Sequence, residues 1–208
     1  MIRIKVCGIT NIEDAINISE AGVDALGFIL ADSPRKVELS KVLEISKELP
    51  PFVSRVAVVV NPTKEEIEKI ERSKVFDYVQ FHGSEDVNII KNCKLKTIKA
   101  IKIENKSSLE EISKYNDFVD YFLFDTKIGE KIGGTGHTFN WEILKEANIK
   151  KPFILAGGLS PENIVEAIKT IRPNAVDLNS KVELYPGKKD IRLIKETIDR
   201  INSIKIKQ

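Results

Sequence analysis

A thiol and a carboxyl offer the sharpest chemistry in this sequence. Cys7 closes the apolar run 2–7 and precedes Gly8, while Asp125 follows the apolar run 119–124 and precedes Thr126. A thiolate takes up a proton and a carboxylic acid delivers one, so the two on opposite sides of one small molecule make a base and an acid. Alternation along an extended strand sets Arg3, Lys5 and Cys7 on one face and Ile2, Ile4 and Val6 on the other. If the apolar set faces helices, Cys7 points inward with the Lys5 ammonium below it, favouring the thiolate. Each residue also has a plainer use, Cys7 as a small buried hydrophobe and Asp125 as a cap for the loop backbone. Their places at strand ends tip the balance towards chemistry.

Other strand ends carry anion-binding residues. Gly157-Gly158 follows the run 153–156, and Asn179-Ser180 follows 175–178. Glycines let backbone N–H groups approach an anion closely, and paired with Ser180 they read as a phosphate cradle rather than a bare tight turn. Arg35, in Ser33-Pro34-Arg35-Lys36, is suited to gripping a carboxylate with two parallel hydrogen bonds. His82, after Tyr78-Val79-Gln80-Phe81, is a further polar group at a strand end. Gly133-Gly134-Thr135-Gly136 reads as a loop able to close over a ligand, and lacks the Lys-Ser/Thr pair of a nucleotide P-loop. His82 and His137 share no metal-ligand spacing with other donors, and Cys93 in Lys91-Asn92-Cys93-Lys94 receives no role.

The elements that must hold these residues follow a rhythm of short apolar run, turn and amphipathic stretch. Runs at 2–7, 25–30, 53–60, 78–81, 97–101, 119–124, 153–156 and 175–178 are near-continuously apolar, as strands covered on both faces are. Between them, Asn11 precedes an acid-rich first turn, and Thr63 to Glu66 and Ser108 to Glu111 fit the capping box. Ser160-Pro161-Glu162 reads as another helix start, and Asp190 as the cap of the last helix. Eight strands alternating with eight helices predict a parallel sheet, and the count favours a single-domain (β/α)8 TIM barrel over 1–208. Each unit averages about 26 residues, near the lower limit for the fold and leaving no room for an inserted domain. In such a barrel the reactive groups sit at the C-terminal strand ends, where strands one and six face each other across the mouth.

Taken together, Lys5-Val6-Cys7-Gly8-Ile9-Thr10, Ser33-Pro34-Arg35, Val79-Gln80-Phe81-His82-Gly83, Asp125-Thr126, Gly133-Gly134-Thr135-Gly136, Leu155-Ala156-Gly157-Gly158-Leu159, Val182-Glu183 and Pro186-Gly187-Lys188-Lys189-Asp190 resemble the phosphoribosylanthranilate isomerase family over the whole chain. The resemblance implies an Amadori rearrangement in tryptophan biosynthesis, run without cofactor or metal. It assigns Asp125 as general acid on the furanose ring oxygen and Cys7 as general base at C2′. It sets Arg35 against the anthranilate carboxylate and Gly157, Gly158 and Ser180 against the phosphate. One departure stands out: Asn179-Ser180-Lys181 occupies the place of the usual Ser-Ser-Gly, exchanging backbone freedom for a cation near the phosphate. Phe81 replaces the more usual Leu.

Composition narrows the field. Basic and acidic residues number 33 and 31, with the signs interspersed, so no concentrated basic face for nucleic acid is expected. The absence of a long apolar run and the presence of only two cysteines lead to the expectation of a reduced, cytoplasmic protein that does not span a membrane. The resemblance adds a small phosphoribosyl substrate, and the chain is expected as monomer or homodimer. Two alternatives remain open at this point: another phosphosugar isomerase or synthase barrel, and a catalytically silent barrel that binds a phosphorylated ligand. Paired strand-end aspartates would favour the first, whereas this chain offers Cys7 with Asp125.

Overall fold

The apolar runs pair in chain order into a ring. A computed structural model describes residues 2–126, 142–147 and 149–204; the glycine motif at 133–136 and His137 lie outside them. The strands are β1 (Arg3–Cys7), β2 (Ala25–Ile29), β3 (Ser54–Val59), β4 (Tyr78–Phe81), β5 (Lys96–Ile103), β6 (Tyr121–Thr126), β7 (Phe153–Ala156) and β8 (Ala175–Leu178). Each is parallel to the next, and β8 closes on β1. The helices are α1 (Ile12–Glu20), α2 (Leu39–Glu48), α3 (Lys64–Ser73), α4 (Val87–Lys91), α5 (Glu110–Tyr115), α6 (Glu142–Glu146), α7 (Ile164–Ile171) and α8 (Ile191–Asn202). Closure leaves no strand edge unpaired, which is what near-continuous apolar strands require.

Period-two alternation sorts the side chains into two cores. Ile4, Val6, Leu26, Phe28, Phe122 and Phe124 pack outward against helices, while Val56, Val58, Ile98, Ala100 and Leu123 fill the barrel together with Cys7. The inward placement of Cys7 thus follows from the alternation of β1. Val119, the first residue of the run 119–124, belongs to the outer core and precedes the strand, because β6 begins only at Tyr121.

The capping signals were uneven. Asn11 accepts a hydrogen bond from the Asp14 N–H, Thr63 and Glu66 form a reciprocal capping box, and Asp190 caps α8. The box expected at Ser108 does not start α5: Ser108 closes a box with Asn105 around a 3-10 turn at Lys106–Leu109, and α5 follows without a side-chain cap. Likewise α7 begins at Ile164, not at Pro161, because Ser160-Pro161-Glu162 is spent on a preceding turn. An element without a sequence signature also appears. Between β8 and α8 the chain makes a 3-10 turn (Ser180–Val182) and an antiparallel hairpin of β9 (Glu183–Tyr185) and β10 (Lys188–Lys189).

Candidate active site

The C-terminal strand ends enclose a cavity of about 170 Å³ lined by Cys7, His82, Asp125, Gly157, Gly158 and Ser180, with Gln80, Asp177, Asn179 and Lys181 among the remaining wall residues. Six of the seven candidate residues therefore line one cavity. The thiol comes from β1 and the carboxyl from β6, three steps apart around the ring, so they approach the cavity from opposing strands.

Cys7 is buried at the end of β1, with Gly27 of β2 as its register partner. A Cβ at position 27 would stand 2.8 Å from Cys7 Sγ and 3.0 Å from Lys5 Nζ, so glycine is what makes room for both. Burial pushes the Cys7 thiol above its usual range; the cations of Lys5 and Lys189 pull it down, and the Asp177 carboxylate adds to the rise. Cys93 differs in kind: burial carries its thiol up to about 11, and it packs beside the outer core, away from this cavity.

Asp125 is half-buried, and its Oδ2 lies 3.4 Å from His82 Nε2. The other ring nitrogen of His82, Nδ1, is 3.0 Å from the Gln80 amide nitrogen. With that amide donating to Nδ1, a neutral ring carries its hydrogen on Nε2, facing Asp125. The loop bearing His82 is held from behind by a fully buried ion pair. Lys99 Nζ is 2.9 Å from Glu85 Oε2 and also donates to the Gly83 carbonyl, while Glu85 Oε1 accepts from the Gly83 and Asn61 N–H groups. A buried pair of this kind fixes geometry, since losing either partner strands a charge in the core.

Opposite, Gly157 and Gly158 both adopt positive φ, 93° and 60°, a backbone that side-chain-bearing residues rarely take. They turn the chain sharply at the end of β7, next to the 3-10 turn that begins at Ser180, in the layout by which barrels of this class cradle phosphate. Asn179, at the position that departs from the family pattern, is held by Lys189, whose Nζ is 3.0 Å from Asn179 Oδ1. Lys181 is exposed and lines the same wall.

Arg35 stands beside this cavity rather than in its wall. Its Nε and Nη2 both donate to Glu183 on β9, at 2.9 and 2.6 Å, and its Cδ packs against Gly8. Glu183 also accepts from Lys189 at 2.8 Å and is held below the usual carboxylate range: burial raises it, but hydrogen bonds from Arg35 and Lys189 more than offset that. The hairpin thus clamps Arg35 in one orientation next to the loop after Cys7. Sequence reasoning gave no site role to Gln80, Asp177, Glu183 or Lys189, although Gln80, Glu183 and Lys189 fall within the motifs that carry the resemblance. Gln80 and Asp177 each lie two residues before a strand-end polar group, His82 and Asn179, so alternation offered a signal for them.

Comparison with known proteins places the chain in a family. A family model described as N-(5'phosphoribosyl)anthranilate (PRA) isomerase matches residues 4–200. The chain is 99% identical over 207 residues to the N-(5'-phosphoribosyl)anthranilate isomerase of Petrotoga mobilis, covering 100% of each. It superposes with a TM-score of 0.87, at 38% identity over 98% of this chain and 100% of the other, on a phosphoribosyl anthranilate isomerase in complex with reduced 1-(o-carboxyphenylamino)-1-deoxyribulose 5-phosphate. It superposes equally, TM-score 0.87 at 35% identity over 98% of this chain and 100% of the other, on monomers generated from the dimeric phosphoribosylanthranilate isomerase of Thermotoga maritima. With its closed eight-stranded barrel and its thiol and carboxyl across one mouth, the chain belongs to the N-(5'-phosphoribosyl)anthranilate isomerase family.

Proposed function

We propose that Asp125 is the general acid and Cys7 the general base in the conversion of N-(5-phosphoribosyl)anthranilate to 1-(2-carboxyphenylamino)-1-deoxyribulose 5-phosphate. The observation that carries these roles is the single cavity walled by both groups and by the Gly157-Gly158 and Ser180 turns. With the phosphate held at those turns, the sugar lies between thiol and carboxyl. Asp125 gives its proton to the furanose ring oxygen as the C1′–O bond breaks and the anilino nitrogen forms a Schiff base. Cys7, as thiolate, then takes the C2′ proton, and the resulting enolamine tautomerises to the ketone. His82 lies along the substrate beside Asp125. The free face of the Arg35 guanidinium meets the anthranilate carboxylate, its orientation set by Glu183. Lys181 adds positive charge at the phosphate end. Incubation with freshly prepared phosphoribosylanthranilate, followed by the loss of anthranilate-type fluorescence, is expected to show turnover far above the spontaneous rate; no acceleration rejects the reading.

The opposite end of the barrel supports self-association. Phe52 is fully exposed at φ 69°, beside a hollow of about 370 Å³ lined by Ile4, Val56, Tyr78, Ile98, Tyr121 and Ile154 among others. An exposed aromatic next to an apolar hollow suits pairing of two copies about a two-fold axis, in line with the dimeric Thermotoga maritima relative. Phe52→Asp is expected to convert a dimer into a species of 23.4 kDa by light scattering; an unchanged dimer mass contradicts this interface. No helix among the described residues is long and apolar enough to cross a membrane. The biosynthetic role of the family supports a cytoplasmic site of action.

A further inference from the structure

Inside the barrel, directly beneath the thiol, lies an ion pair that the acid and base roles leave unused. Lys5 and Asp177 are register partners on β1 and β8, and Lys5 Nζ is 2.7 Å from Asp177 Oδ2. Both side chains are almost fully buried, at 4% and 6% exposure, next to an otherwise apolar filling. Two buried charges in such surroundings are costly to maintain, and well-packed apolar residues commonly serve stability as well or better. Stability alone therefore does not explain this pair.

Its geometry relative to Cys7 does. Lys5 Nζ and Cys7 Sγ converge on the space left by Gly27, each within 3.0 Å of where a Cβ would stand. Asp177 holds the ammonium there through Oδ2, and its Oδ1 is buried without a hydrogen-bond partner in the wall of the catalytic cavity. From this placement we infer that Lys5 is a positioning residue for the base: its ammonium, anchored by Asp177, stabilises the Cys7 thiolate that removes the C2′ proton. The inference rests on Cys7 being the base. Lys5 keeps its own proton throughout and supplies charge only. Burial works against the Lys5 ammonium, but Asp177 and Cys7 more than offset it and hold its pKa above the ordinary lysine value.

Other charged groups also face the thiol, and the test must separate them. Lys189 on β10 favours the thiolate, Asp177 on β8 opposes it, and Arg35 after β2 also feels its charge; His82 and Asp125 act on Asp177 in turn. The experiment takes a Cys93→Ser background, so that Cys7 is the sole thiol, and follows both thiolate ultraviolet absorbance and the rate of alkylation by iodoacetamide against pH. Lys5→Gln, which keeps a donor for Asp177 but no charge, is expected to raise the Cys7 midpoint by about one unit or more. The alkaline-rising limb of kcat/KM moves by the same amount, lowering activity at neutral pH about tenfold. Lys5→Met with Asp177→Leu leaves no stranded charge, so it serves where the single variant fails to fold. Its midpoint also rises, because Lys5 acts on the thiol more strongly than Asp177 does. An unshifted or lowered midpoint in either folded variant overturns the inference. Failure of the base assignment itself looks different: Cys7→Ala would turn over normally, while in the protein that keeps Cys7 the thiol midpoint still followed Lys5.

Discussion

Asp125→Asn lowers kcat by at least about 10²-fold, the usual contribution of a positioned general acid, while affinity for the reduced product analogue changes only a few-fold. Such a loss corresponds to about 2.7 kcal/mol of transition-state stabilisation. Asparagine preserves shape and keeps an oxygen within reach of His82 Nε2, 3.4 Å away in the native pair, but it has no proton to give to the ring oxygen. The residue lies one position before the end of β6 and is half-buried, so the fold tolerates the change. A fall confined to kcat, with binding retained, is the signature of an interaction made only in the transition state. Near-native turnover by the folded variant would remove Asp125 from the reaction.

Cys7→Ala is expected to cost at least about 10²-fold in kcat as well, for a different reason. Here the lost group is the proton acceptor, and no second thiol stands near: Cys93 packs beside the outer core, away from the cavity. Deleting one sulfur next to Gly27 opens a void of about one heavy atom, a modest stability cost for a core truncation, so thermal unfolding should shift little. The pH dependence has a definite sign. A base that works as thiolate, with its pKa raised by burial, gives activity that increases as pH rises through the thiol midpoint. In Cys7→Ala that limb disappears. A retained limb, measured as kcat/KM against pH, would assign the base elsewhere.

Much of this was legible because barrel strands obey a two-residue period and the chemistry gathers at one end of each. The runs closing in Cys7 and Asp125 needed only alternation and chain order to be placed across one mouth. The positive φ angles of Gly157 and Gly158 are likewise what a Gly-Gly pair after a strand implies. What stayed hidden is long-range pairing. Glu183 reaches Arg35 across 148 positions of sequence, and Asp177 reaches Lys5 across 172. No local pattern encodes either contact, because each depends on ring closure bringing the last elements back to the first. The hairpin carrying Glu183 and Lys189 was equally unreadable: three- and two-residue strands are too short to show alternation. Local competition explains the misplaced helix starts, since Ser108 and Ser160 satisfy turns before their helices begin.

The division of labour between the two groups has one decisive measurement, the rate of each variant on substrate carrying deuterium at C2′. Asp125→Asn should become limited by ring opening and lose sensitivity to that label. Cys7→Ala, still able to open the ring, should be limited by removal of the C2′ proton and show a full primary isotope effect. The reverse pattern, or the same isotope effect in both variants, would contradict the assignment of acid to Asp125 and base to Cys7.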